Sequence, residues 1–227
     1  MAYPVEFDFE EFRSIGSFAG RLRYAKEKLL GKVGAGSGRA VFRVDDEKVL
    51  KVAMNQKGVA QNEAESDWGA QQYDIIAKVF EYDREDTWIE MELAKKLSPA
   101  RFRELTGTSV EELGAWLRSK KEQRDRLSSS QSVTDLSKNT FAMELLRFAL
   151  DYGYPMPGDF NAITSYGEVL RDGKPQAVVI DFGFNSGTEE IYQSARQKSM
   201  QRQYQNYLHL SPKYLADLNQ AIDKIKI

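Results

Sequence analysis

Val33-Gly34-Ala35-Gly36-Ser37-Gly38-Arg39-Ala40-Val41, continued by Phe42-Arg43-Val44-Asp45-Asp46-Glu47-Lys48-Val49-Leu50-Lys51-Val52-Ala53, runs from a glycine cluster into aliphatic and β-branched residues. The spacing predicts two antiparallel strands over 41–44 and 48–53, with Asp45-Asp46-Glu47 as the polar turn between them. A glycine-rich turn that enters a strand excludes the dinucleotide fingerprint and the Walker loop, both of which need a helix immediately afterwards. Gly34, Gly36 and Gly38 would let backbone N–H groups approach phosphates without interference from a β-carbon, although a plain turn has the same composition. Strand alternation puts Lys51 on one face with Val49 and Ala53. An ammonium among apolar neighbours calls for an anion, and Glu65, or failing that Glu63, is the nearest candidate on the following segment.

Outward from this stretch, residues 14–32 mix basic and apolar residues at helical spacing, and residues 56–76 are rich in Ala, Gln and Glu without proline, as a helix requires. Strands follow over 79–82 and 87–93, joined by Asp83-Arg84-Glu85-Asp86. Past Ser98 the pattern becomes helical over 99–121 and 140–152, separated by a serine-rich loop at 127–138. Phe141, Met143, Leu146 and Phe148 read as the core face of the second of these helices. Strands at 167–170 and 176–180 flank Arg171-Asp172-Gly173-Lys174, whose Asp-Gly pair is a strong hairpin signal. Helices over 188–207 and 212–225 close the chain, and the fold class is α+β.

The hairpin leads into Val178-Val179-Ile180-Asp181-Phe182-Gly183, an apolar strand ending in a carboxylate well suited to a hard cation. A second carboxylate, Asp159, stands upstream in Pro157-Gly158-Asp159-Phe160. Glycine loop, hairpin lysine, helix glutamate, apolar strand at 88–94, loop aspartate and strand-terminal Asp-Phe-Gly follow one another in the order used by protein kinases. Over residues 31–184 the chain resembles the compact, atypical protein-kinase-like proteins, including small ones of tailed phages.

The resemblance implies a bilobal fold: an antiparallel-sheet lobe with one helix over 1–94, and a reduced, mainly helical lobe over 95–227. It implies an ATP-dependent phosphotransferase acting on a hydroxyl of Ser/Thr type, with Mg2+ or alternatively Mn2+. Lys51 would contact the α- and β-phosphates beneath Gly34, Gly36 and Gly38, Glu65 would hold Lys51, Asp159 would be the catalytic base and Asp181 a metal ligand. The backbone of Glu92 to Ala94 would receive adenine, with Met91 behind it. The chain departs from the family at several places. Arg39 takes the place of the third loop glycine, no His-Arg precedes Asp159, and Thr164 replaces the expected asparagine, with Asn161 and Ser165 as alternative second ligands. No Ala-Pro-Glu segment follows Gly183. These departures keep open a second reading, a pseudokinase that binds nucleotide or a partner without transfer, and behind it a structural protein retaining the fold alone.

Composition narrows the partners. A formal charge of −2 gives no basic excess for neutralising a phosphate backbone, so nucleic acid is not expected. The absence of cysteine and the single histidine, His209, exclude disulfides, cysteine catalysis and ordinary zinc sites. With no signal-like start and no run of eighteen apolar residues, no membrane partner and a cytoplasmic location are expected, the host cytoplasm if the chain is phage-encoded. The phosphoryl acceptor, protein or small molecule, stays open.

Overall fold

In the computed structural model, which describes residues 4, 6–124, 133–151, 160–183 and 190, the glycine cluster joins two strands. Strand β1 (Lys32–Ala35) pairs antiparallel with β2 (Arg39–Arg43), and the Gly36 amide donates to the Arg39 carbonyl at 2.9 Å across the turn. Strand β1 was not expected, because its two glycines masked it. Its ladder is extended at the open end by Arg43 N–H donating to Gly31, whose φ of 127° suits only glycine. Strand β3 (Lys48–Ala53) sets Lys51 opposite Val41, β5 (Trp88–Glu92) pairs on its other side, and β4 (Val79–Tyr82) forms the edge. The result is a five-stranded antiparallel sheet in the order β1-β2-β3-β5-β4 within a mixed α+β fold.

Alternation along these strands divides the core. Ala40, Phe42, Leu50, Val52 and Trp88 face one way, covered by Phe7, Phe12, Tyr24 and Leu29 from the segment that carries α1 (Phe9–Ser14) and α2 (Phe18–Lys28). Asp8 and Ser17 start these two helices by accepting backbone N–H groups in their first turns. Val49, Ile89 and Met91 face the other way, toward α3 (Gln56–Ser66) and the rest of the molecule. Helix α3 stops at Ser66 rather than at 76, and a short 3-10 turn at Ala70–Gln72 brings the chain back to β4.

A second sheet, β6 (Lys95–Lys96), β7 (Tyr166–Arg171) and β8 (Lys174–Val179), contains the expected hairpin. Asp172 and Gly173 both have positive φ (51° and 73°), the signature of its two-residue turn. Strand β8 docks on the chain after α3: Ala77 N–H donates to Val179 at 3.0 Å, and Val179 N–H to Ile75 at 2.7 Å. Arg171 fastens the same junction, donating to the Asp74 carbonyl and to that of Ile76 at 2.9 Å, and pairing with Glu92 at 2.6 Å.

The single helix expected over 99–121 is two, α4 (Pro99–Thr106) and α5 (Val110–Arg124). Gly107 ends the first in the left-handed region (φ 75°), and a reciprocal Ser109–Glu112 capping pair starts the second. Helix α6 (Thr140–Asp151) buries Ala142, Leu145, Phe148 and Ala149. Met143, expected on its core face, is instead 40% exposed, one position off that stripe. Apart from Glu190, the helices expected over 188–207 and 212–225 lie outside the described residues, as does the first half of the 127–138 loop. Among the described residues no helix is long and apolar enough to cross a membrane.

Candidate active site

Four charged side chains meet beneath the glycine turn. The Lys51 Nζ donates to Glu65 Oε2 at 2.6 Å and to the carbonyl of Ile180 at 2.7 Å. Glu65, not Glu63, is the partner, and its carboxylate is fully buried. Its other oxygen, Oε1, accepts from Arg39 Nη2 at 2.7 Å, and the same Nη2 lies 3.0 Å from Asp181 Oδ1. Asn62, one turn before Glu65 on α3, accepts from Arg39 Nη1 at 3.3 Å and donates to the Asp86 carbonyl at 2.8 Å. Arg39 and Asn62 were not singled out as site residues. The signal for Arg39 was available, since the register that pairs Val41 with Lys51 also pairs Arg39 with Ala53 and gives all four one face.

Close backbone approaches hold the cluster's walls. A β-carbon at Gly58 would overlap the Gly38 carbonyl oxygen, and one at Gly38 would lie 2.9 Å from the Gly58 amide. Met54 N–H donates to Gly38 at 2.7 Å and Asn55 Nδ2 to Ser37 at 3.0 Å, so the glycine turn sits on the first turn of α3. Gly36 has open space above it, and a β-carbon at Gly34 would make only ordinary contact with Val41 at 3.9 Å. Gly183 also has a steric role rather than a left-handed one: a β-carbon there would fall 2.7 Å from the Gln61 carbonyl oxygen on α3. Phe182 is buried, its ring edge-on to Phe148 of α6 at 5.4 Å.

Met91 is buried on the same face of β5 as Ile89, opposite Val49. The amides of Glu92 and Leu93 are already committed, to Lys78 at 2.8 Å and Glu47 at 2.6 Å, so any donor toward a ligand from this stretch falls to Ala94. Ala94 packs so closely on Gly167 of β7 that a β-carbon at 167 would overlap it. Asp159 lies outside the described residues. Its neighbour Phe160 is buried, and the Phe160 carbonyl accepts from Tyr166 Oη at 2.9 Å. Thr164 is exposed in the turn Ile163–Ser165, where the Ser165 carbonyl accepts the Ile180 amide at 2.8 Å, next to Asp181. Asn161 turns its amide against Gly114 of α5. An open groove of about 790 Å³, between Trp68–Asp74 and the start of α6, shares no residue with the cluster.

The cluster pairs two cations with two carboxylates of unlike burial. Burial pushes the Glu65 carboxyl up, but the guanidinium of Arg39 and then the ammonium of Lys51 outweigh it and hold the group down at about 2. Lys51 is depressed, first by burial and then by Arg39, against the pull of Glu65 and Asp181. Two buried cations thus share one buried anion, while the Asp181 side chain is 60% exposed. The described residues contain no group of three or more acidic or histidine side chains able to cage a metal. No protein-family model matches the chain, and no curated protein matches it significantly in sequence.

Proposed function

We propose that the chain is an ATP-dependent phosphotransferase of protein-kinase-like, bilobal architecture. The observation that carries this reading is the buried Lys51–Glu65 pair, joined through Arg39 to the exposed carboxylate of Asp181, under a glycine turn. A lysine held by a buried glutamate beside an exposed carboxylate suits an anion that brings its own counter-cation, the chemistry of a metal–nucleotide complex. Lys51, held by Glu65, binds the α- and β-phosphates. The Glu92 carbonyl and the Ala94 amide offer an acceptor and a donor to the adenine edge. Asp181, with Thr164, holds Mg2+ or Mn2+, which when bound neutralises charge on the transferring phosphoryl. Asp159 accepts the proton of the acceptor hydroxyl as its oxygen bonds to the γ-phosphorus and the bond to the β-phosphate oxygen breaks, releasing ADP.

The Arg39–Asp181 pair favours a second reading, a pseudokinase that binds nucleotide without transferring it, because it occupies the carboxylate on which the metal depends. Radiolabelled ATP, incubated with wild type and Asp159→Asn in the presence of a cytoplasmic extract, separates the two. Transfer is expected for wild type and is lost, by several powers of ten, in the variant. Equal silence with retained ATP binding replaces the transferase by the pseudokinase.

A further inference from the structure

Arg39 bridges two carboxylates of unlike character. Its contact with Glu65 is short (2.7 Å) and wholly buried, whereas its contact with Asp181 is longer (3.0 Å) and reaches a side chain 60% exposed. A guanidinium stays charged under all ordinary conditions, so it cannot release Asp181 by losing a proton. It can release Asp181 by a small rotation while Glu65 and Asn62 keep hold of it. A divalent ion on Asp181 Oδ1 would stand within a few ångströms of this fixed positive charge, and the two cannot share the oxygen. We propose that Arg39 is the built-in competitor of the divalent ion at Asp181, and that it sets how much free metal the site needs before the nucleotide-borne ion can engage. The proposal rests on the nucleotide-binding reading above.

The test is calorimetric titration of a non-hydrolysable ATP analogue at increasing Mn2+, for wild type, Arg39→Gln, Asp181→Asn and the double variant. Because the contested carboxylate is largely exposed, its pairing is worth little, and Arg39→Gln is expected to lower the half-maximal Mn2+ concentration about fivefold. Asp181→Asn abolishes the Mn2+ response, and adding Arg39→Gln to it changes nothing further. Arg39→Lys, which keeps the charge on a shorter side chain and has no second nitrogen to hold Asn62 while the first meets both carboxylates, shifts the response in the same direction and serves if the glutamine variant does not fold. Analogue binding with an unchanged or raised Mn2+ requirement in these variants overturns the competitor role alone. Failure of every variant, wild type included, to bind the analogue at millimolar concentration overturns the nucleotide reading and this proposal together.

Discussion

Glu65 carries the electrostatic burden of the site, because Lys51 and Arg39 both depend on it. Its carboxyl, held at about 2 against an ordinary 4.5, is depressed, so its contribution to stability is complete above the ordinary value and is lost as the pH falls from 4.5 toward 2. Glu65→Gln takes the buried anion from both Lys51 and Arg39 and is expected to cost about 3–5 kcal/mol at neutral pH in urea unfolding. Lys51→Met, which leaves Glu65 its pairing with Arg39, costs less. The gap between wild type and Glu65→Gln should close as the same unfolding is repeated at lower pH. A gap that stays constant down to pH 2.5 would contradict the assignment. The Lys51–Glu65 pair was legible in the sequence because strand alternation demands an anion for a lysine flanked by Val49 and Ala53. The face that Arg39 shares with Lys51 was legible too, but its carboxylate partners, 26 and 142 residues away, follow from no local pattern.

At the scale of elements, the hairpins with polar turns were legible, and the glycine-masked β1 and the ends of helices were not. Polar turns announce strand pairs locally, whereas the stop of α3 at Ser66 and the break at Gly107 are set by what the chain packs against next. The glycines near the site divide by the same logic. Gly58→Ala drives a β-carbon into the Gly38 carbonyl, which being backbone cannot swing aside, and is expected to cost on the order of 2 kcal/mol while lifting the glycine turn off α3. Gly36→Ala meets nothing within 4 Å and has no left-handed φ, so stability is expected to hold or rise by about 0.5 kcal/mol. If phosphates lie over this turn, nucleotide affinity falls in Gly36→Ala even so. Thermal melts with and without the ATP analogue read both effects.

For the whole molecule, the sequence conveyed the order of parts, from glycine turn to Asp-Phe-Gly, while the joining of the two sheets rests on contacts that no local pattern encodes, Ile75 and Ala77 with Val179, and Arg171 with Glu92. A ligand that binds only the folded state must raise its melting temperature by mass action. Mg-ATP is therefore expected to stabilise wild type, and Asp181→Ala to lose more of the magnesium-dependent increment than of the metal-free one, as read by scanning calorimetry in magnesium and in chelator. The docking of β8 on Ile75 and Ala77 has a further consequence during synthesis. Ribosomes work from the N-terminus at about 5–20 residues per second, so Ile89 and Met91 leave the exit tunnel several seconds before Val179 has been made. For that interval the nascent five-stranded sheet has one face covered by its own N-terminal helices and the other covered by α3 without the second sheet. A fragment ending at residue 98 should accordingly bind a hydrophobic dye and a trigger-type chaperone that the full chain ignores. Asp181, the carboxylate that meets the Arg39 charge from outside, is translated two residues after the strand that closes this face, so the newborn sheet hides its apolar side before the charged cluster can be completed.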